Sequence, residues 1–527
     1  MIVKKDCRIV SRLRTELHAQ TTQERFRRAD GDFSRQPTLT FARVATLILR
    51  GHQVSQQNAV NKFFRELGLP ERSVTGGAYC QARQKLKPEL FVHLNQCVVE
   101  DFTLLSQADG TWRDWHGHRL LGGDGTKLNL PDTKAMRAAY STVSNQYGAL
   151  GEVVQGLAVV VYDLLNDLGV AAHLGKLAHE PDVLAHQLGT ASTAGDVFVL
   201  DRNFADYAFI AWGIQQGREL IIRCPRSSFG VVNDFRESDL TDQVVTLHCS
   251  ARRTTRVAVR AQGLPEVVTV RLLKFTLTTG ETEVLLTTLC DQQRYPHAEF
   301  YQVYGWRWQQ ETWYDRLKNI FELERFSGLT PLAIAQDFYG VLFLMTLEST
   351  LAQSAQSALT TRSATRGVAR VEPRVNRAVS YVSLLDHTVA LLADPQRSLE
   401  TVVAELHQLF QTNPKYNTAE RKFDRPARSP ARSAATVQEA AHLLSKYLAL
   451  ISLSVRAPFF DGSRELSTGR FSRPHTKTLA GTGGTLKASV QVMAKIYAGQ
   501  GGKGDDKILA GKKHEMFLRQ NSYLCER

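Results

Sequence analysis

Apolar residues recur at helical spacing over residues 36–105, in segments parted by short polar turns. TLTFARVATLILRG follows a Thr-rich cap and stops at Gly51, QQNAVNKFFRELG stops at Gly68, and SVTGGAYCQARQKL and PELFVHLNQCVVEDF follow. The expectation is a small helical domain. Its stretch FFRELGLPERSVTGGAYCQARQKL has the length of a helix-turn-helix with Arg and Lys on the second helix, although helical hairpins without a DNA role are the commoner source of such a pattern. From residue 119 the period becomes that of strands. RLLGGDGTKLNL is strand-like on both sides of Gly125. VVQGLAVVVYDLL, a turn at NDLG and VAAHLG make a hairpin. EPDVLAHQLGTA reads as a helix, DVFVLD as a short apolar strand, FADYAFIAWGIQQG as a helix and ELIIRC as a strand. Four β-rich runs are expected over 225–303: QVVTLHC, TRVAVRAQ, EVVTVRLLKFTLTT and TEVLLTTLC. After 328 the pattern is helical again in PLAIAQDFYGVLFLMTLESTLAQS, VSYVSLLDHTVALLA, LETVVAELHQLFQ and TVQEAAHLLSKYLALI, with Ser/Thr/Arg-rich linkers at 354–376 and 425–435. From 460 onward Gly, Lys, Thr and Ser dominate, which predicts a disordered tail.

One segment departs from ordinary amphipathic patterning. Residues 301–328, YQVYGWRWQQETWYDRLKNIFELERFSG, set Glu311 among three tryptophans. With no Pro or Gly between Trp306 and Ser327 a helix is expected, and at about 100° per residue Arg307, Glu311 and Lys318 fall about 60°, 20° and 40° behind Tyr304. These four share one narrow face, and Trp306, Trp313, Leu317 and Ile320 make an opposite face suited to a core. Read alone, this is a buried helix with a solvated polar face and a Glu311–Lys318 pair.

Charge changes that picture. Of a net +13, +6 falls in residues 1–50 and +11 in 411–527, which leaves −4 for the middle. Basic ends around a mildly acidic centre suit a protein that holds a polyanion at its periphery and gathers carboxylates centrally, whereas basic tails serving only solubility would give the same total. The longest apolar runs fall short of a membrane span, and the charged N-terminal stretch has no signal-peptide core, so a cytoplasmic protein without a membrane partner is expected. The seven cysteines, at 7, 80, 97, 224, 249, 290 and 525, are never spaced C-x-x-C. That argues against a disulfide framework and against a zinc site, leaving reduced, mostly structural thiols.

Three acids stand out by position: Asp124 in LLGGDGTK, Asp201 at the end of DVFVLD, and Glu311. Taken singly, a D-G pair is most often a turn and an Asp at a strand end often caps the next helix. In a mixed sheet with this element order, the first strand, the fourth strand and the late helix converge at one sheet edge. Carboxylates there suit two Mg²⁺ ions, with Mn²⁺ as a substitute, and paired ions of this kind serve phosphodiester chemistry.

Tyr304-x2-Arg307-x3-Glu311-x6-Lys318 resembles the Y-R-E-K signature of the IS-four family of bacterial insertion-sequence transposases, and DGT at Asp124 and DRNF at Asp201 look like its first two catalytic motifs. The resemblance covers roughly residues 36–345. It implies a DDE triad of Asp124, Asp201 and Glu311 that binds metal, with Tyr304, Arg307 and Lys318 contacting the DNA end. It also implies an α/β fold: a ribonuclease-H-like catalytic core with a β-strand insertion, flanked by an N-terminal helical domain and a C-terminal helical region. The expected organisation is a DNA-binding helical domain at 1–110, the DDE domain at 115–345 with its insertion at about 225–303, a helical dimerisation and DNA-binding region at 346–459, and a basic tail at 460–527. The implied activity is cut-and-paste transposition by a homodimer on paired ends, acting on double-stranded DNA of the element and target and associated with the nucleoid when bound. A non-catalytic DNA-binding regulator and a host nuclease of the same fold are the alternatives. Hairpin-forming relatives stack a flipped base on a Trp of the insertion. The six tryptophans (112, 115, 212, 306, 308 and 313) leave 218–303 without one, so a hairpin would need Tyr295, Phe275 or another platform.

Overall fold

The computed structural model describes residues 2–416, apart from 35–37, 52–54, 72–73, 145–151, 228, 251–252, 278–279, 321–322 and 367–371. The described residues form one compact unit. The expected helix TVQEAAHLLSKYLALI and the basic tail lie outside the described residues.

Six helices open the chain: α1 (Ile2–His18), α2 (Gln20–Phe26), α3 (Phe41–Leu49), α4 (Gln56–Glu66), α5 (Gly76–Arg83) and α6 (Glu89–Asp109). The last four are those expected from the apolar spacing. Thr40 and Thr75 cap α3 and α5 by accepting from the amides of Arg43 and Ala78, which removes one orphan donor from each helix. Arg83 of α5 is not a surface cation, as a DNA-reading helix would have it. It is 5% exposed, with Nε on Gln336 Oε1 at 2.7 Å and Nη2 on Asp337 Oδ1 at 2.7 Å, and so ties the hairpin to a later helix.

The sheet follows. Its elements are β1 (Leu120–Asn129), α7 (Lys134–Ala139), β2 (Ser141–Ser144), β3 (Glu152–Asp163), β4 (Leu168–Gly175), α8 (Glu180–Gln187), β5 (Val197–Leu200), α9 (Tyr207–Gln215) and β6 (Glu219–Arg223). Then come α10 (Gly230–Glu237), β7 (Asp242–His248), α11 (Arg253–Ala261), β8 (Val267–Thr276) and β9 (Thr282–Thr287). The strand order is β2-β3-β1-β5-β6-β9-β8-β7, with β4 on β3. β1, β5 and β6 run parallel, and β3 and β9 are antiparallel to their neighbours. Strands beyond β6 therefore extend the main sheet. Both faces are covered: Ala158, Val160 and Tyr162 of β3 enter one core while Leu157, Val159 and Val161 enter the other, as the period of two requires.

The strand expected around Gly125 is present, and the turn reading of the D-G pair at 124–125 falls, because β1 runs unbroken through it with Asp124 opposite Val160. One expectation fails in this region. TRVAVRAQ is not a strand but part of α11. Arg256 and Arg260, four residues apart, both reach Glu266, a helical spacing that an alternating reading of Val257 and Val259 conceals.

The chain closes with α12 (His297–Gly305), α13 (Trp308–Asn319), α14 (Pro331–Arg366), α15 (Arg377–Thr388), a π-helical turn at Val389–Ala393, and α16 (Leu399–Thr412). The expected continuous helix from Trp306 to Ser327 is thus shorter at both ends. Trp306 and Arg307 form a tightened turn, in which the Arg307 amide bonds the Tyr304 carbonyl three residues back, and α13 stops at Asn319. α14 passes through the expected linker start at 354 and the expected domain boundary at 345/346. It is apolar on several faces because it is enclosed by α3, α6, β4 and α16 of its own chain, with Phe343, Leu344 and Leu347 fully buried. Among the described residues no helix is long and apolar enough to cross a membrane.

Candidate active site

Strand pairing brings the two aspartates together. β1 and β5 pair in parallel up to Gly122 opposite Val199, so Asp124, two residues on within β1, and Asp201, just past the carboxyl end of β5, come near each other on adjacent chain segments. Asp124 Oδ1 accepts from the Gly125 amide at 2.8 Å. Asp201 Oδ1 caps the short turn after β5 by accepting from the Asn203 amide at 2.8 Å. The capping reading of Asp201 is therefore correct, and it occupies one oxygen only.

A third acid, one the sequence pattern did not single out, joins them. Glu180, in the first turn of α8, has a buried Oε2 without a hydrogen-bond partner. Burial pushes the Asp124 carboxyl up to about 7, and the charges of Asp201 and Glu180 push the same way. The Gly125 amide and the Arg307 guanidinium offset this only in part. Glu180 is itself raised, by burial and by Asp201. Its only sequence signal was an acid followed by Pro at a helix start.

The glycines of GGDG explain how side chains of two helices reach β1. A Cβ on Gly122 would lie 2.2 Å from Gln310 Oε1 of α13, and one on Gly125 would lie 2.5 Å from Glu180 Cδ of α8. Glycine at these two positions leaves room over β1 for the side-chain ends of Gln310 from α13 and Glu180 from α8. α13 is then fixed by polar bonds as well as by packing. Gln310 Nε2 donates to Val160 O at 3.1 Å, and the Tyr314 hydroxyl donates to Asp124 O at 2.5 Å. Trp313, 1% exposed, packs on Tyr162 with ring centroids 5.8 Å apart. The residue before Glu311 thus docks at Gly122 and the residue three after it docks at Asp124, so Glu311 lies on the helix that crosses β1 at Asp124.

Glu311 takes Arg307, not Lys318, as its partner: Arg307 Nη2 donates to its Oε1 at 2.8 Å. Arg307 is 8% exposed and lies over the rings of Tyr304 and Trp308. Tyr304 is 6% exposed, and its hydroxyl and Arg307 Nε are buried without hydrogen-bond partners. Lys318 is half-buried in the last turn of α13. Trp308, in contrast, is 62% exposed beside Arg307. The two aromatic platforms named for the insertion are already engaged. Tyr295 is 5% exposed and bonds His118 at 2.7 Å, and Phe275 stacks on His297 at 4.4 Å.

A divalent cation fits this edge. The mutually repelling carboxylates of Asp124, Asp201 and Glu180, the last with a buried oxygen that has no donor, supply hard oxygen ligands, and Arg307, Lys127 and His179 offset their charge only in part.

Residues 115–347 match the family described as "Transposase DDE domain". The transposase InsG for insertion sequence element IS4 of Escherichia coli (strain K12) is 26% identical over 283 residues, which span 52% of this chain and 60% of that protein. Among solved structures, the piggyBac transposase synaptic complex with hairpin DNA aligns over 81% of this chain and 88% of its own, with a TM-score of 0.36 and 8% identity. The matched segment carries β1, β5 and α13 together, and over it the chain is similar to the transposase DDE domain and to the IS4 transposase.

Proposed function

We propose that this chain is the transposase of an insertion sequence, which binds terminal inverted repeats in double-stranded DNA, cleaves at the element's ends and transfers the freed strands to target DNA. The observation that carries the reading is the nearness of Asp124 and Asp201 on adjacent chain segments, with the Glu311 helix docked across β1 between Gly122 and Asp124. The run β1 to β6, four strands paired antiparallel followed by helix-linked parallel ones, supports a ribonuclease-H-like core.

Asp124, Asp201 and Glu311 are proposed to hold two Mg²⁺ ions, or Mn²⁺ in their place, which when bound supply activation of the attacking oxygen and stabilisation of the departing one. The chain's own residues do the rest. Tyr314 and Gln310 fix the depth of α13 on β1, and Arg307 sets the direction of the Glu311 carboxylate. Enclosed as they are, Tyr304 and Arg307 act beneath the DNA end, while Lys318 contacts its phosphates. Action as a homodimer across paired ends, in the cytoplasm at the nucleoid, rests on the family resemblance, since the many-sided apolarity of α14 is used up inside the chain.

The test is strand transfer between a plasmid carrying the element's ends and a target plasmid. Asp124→Asn, Asp201→Asn and Glu311→Gln should each lower cleavage by about three orders of magnitude or more while end binding persists, because groups that act as one unit fail together. Normal cleavage in any one of them removes that residue from the site. Cleavage without joining favours a nuclease, and binding alone favours a regulator.

A further inference from the structure

Away from the acid edge, three donor atoms of different chemistry converge between α1 and α6. His93 and Cys97 are four residues apart on α6, so their side chains stand one above the other on one helix face, and Glu16 comes from α1. His93 Nε2 lies 2.9 Å from Glu16 Oε2 and 3.8 Å from Cys97 Sγ, and all three donor atoms lie within 4.8 Å of one another. Both contacts use the same ring nitrogen. The set is therefore not a thiol–imidazole–carboxylate relay, which needs one partner on each ring nitrogen. It is a group of three donor atoms within reach of one ion.

Tetrahedral zinc, at about 2.0–2.3 Å from N, O and S ligands, holds its donors roughly 3.3–3.6 Å apart, close to the spacings here. The surroundings suit such an ion. Thr22 Oγ1 donates to Glu16 Oε2 at 2.9 Å and orients the carboxylate, and the Phe26 ring packs 5.3 Å from the imidazole. Cys97 is 2% exposed, while the His93 and Glu16 side chains are 21% and 28% exposed, so the cluster opens toward solvent on the nitrogen and oxygen side with sulfur at its base.

We propose that Glu16, His93 and Cys97 bind one zinc ion through three protein ligands, with water in the fourth position and the thiol proton released to solvent on binding. The ion ties α1 to α6. α1 is the helix on which the C-terminal helices rest: Arg14 bonds the carbonyls of Leu391 and Ala390, and Asp6 bonds His407 at 2.6 Å. α6 in turn holds the β3–β4 hairpin, through Asn95 on Gly169 O at 2.8 Å. A C-x-x-C search misses the site because its ligands lie at 16, 93 and 97. The assignment is independent of the reading of the acid edge, whose oxygen donors give cobalt no thiolate absorption.

The experiment titrates metal-stripped full-length protein with Co²⁺. The expected result is a thiolate-to-cobalt charge-transfer band saturating at one equivalent, displaced by Zn²⁺, with Zn²⁺ also raising the melting temperature. Cys97→Ser should lose the band, and Glu16→Gln, at the solvent-facing side, should weaken cobalt binding by at least about tenfold while circular dichroism stays native. Absence of the band in the wild-type protein, which needs no variant to fold, overturns the proposal, as does a band that persists in Cys97→Ser. Either result leaves a His93–Glu16 ion pair beside an inert thiol.

Discussion

Arg307 and Glu311 form an ion pair across the tightened turn that separates α12 from α13, with Nη2 2.8 Å from Oε1 and the guanidinium nearly enclosed. A helical wheel placed Arg307 and Lys318 on one DNA-facing surface, but the turn sinks the arginine against Tyr304 and Trp308 and leaves the lysine half-buried at the far end of α13. The two cations should therefore behave differently. Lys318→Ala is expected to lower the salt slope of end binding by about one counterion, while Arg307→Ala lowers single-turnover cleavage by about 10–100-fold with little change in slope. Lys176→Ala, on an exposed residue, is the control. Wild-type slopes and rates in both variants would make the polar face a solvated one.

Much of this arrangement was legible because it depends on local pattern. The apolar run VFVL ending in Asp201, the glycines around Asp124 and the acid amid tryptophans each mark a strand end or a docked helix from neighbouring residues alone. What was missed depends on contacts distant in sequence. Glu180 reaches the aspartates across a gap that Gly125 leaves open for its side chain, and Arg83 looks like a DNA-reading cation until Asp337, on a helix some 250 residues later, neutralises it. α11 was mistaken for a strand because two valines in alternation satisfy either period.

Asp124 carries a measurable pH signature in the metal-free protein. Burial beside Asp201 and Glu180 raises its carboxyl from 3.8 to about 7, so between those values the folded state keeps a proton that the unfolded chain releases. Stability is then fullest below the unfolded value and declines as pH rises toward about 7. In EDTA, Asp124→Asn should melt above wild type by at least about 2–4 °C at pH about 8, and the gap should close near pH about 4. Added Mg²⁺ should narrow the gap at high pH by stabilising only the wild type. Calorimetry across that range checks this, and a gap that does not change with pH contradicts it.

Trp308 offers the exposed aromatic that the insertion lacks. Its side chain is 62% exposed next to Arg307, whereas Tyr295 and Phe275 are committed to His118 and His297. If the proposed function holds, this exposed indole, with Arg307 over its ring, would stack on an unpaired base of the DNA end, worth about 1–3 kcal/mol. Trp308→Ala should weaken binding of a DNA end with a frayed terminal base by that amount and leave binding of fully paired DNA and the melting temperature unchanged. Trp308→Phe should recover most of the loss. Equal weakening on both DNAs would assign the indole to general packing.

Asp167 lies under the same helix, and its removal should loosen Glu311 from below. Its carboxylate accepts from Arg316 of α13 at 2.5 and 3.2 Å, from Arg377 of α15, from the Tyr162 hydroxyl and from Ser349 Oγ at 3.1 Å. Burial alone would raise its pKa, but the Arg377 and Arg316 guanidiniums prevail and hold it well below the usual carboxylate range. The stability it lends is thus present above the ordinary Asp value and lost as pH falls below it. Asp167 has φ +55, a conformation Asn also tolerates, so Asp167→Asn tests charge without backbone strain. With the carboxylate gone, two enclosed guanidiniums share only Glu348, and the expected loss is about 3–5 kcal/mol in urea unfolding at neutral pH, shrinking in acid. Because Arg316 sits on α13 little more than one turn beyond Glu311, cleavage should also slow at temperatures where the variant remains folded, with end binding preserved. A loss under about 1 kcal/mol would class the cluster with surface ion pairs, and an unchanged cleavage rate in the folded variant would show that Gln310 and Tyr314 hold the helix without it.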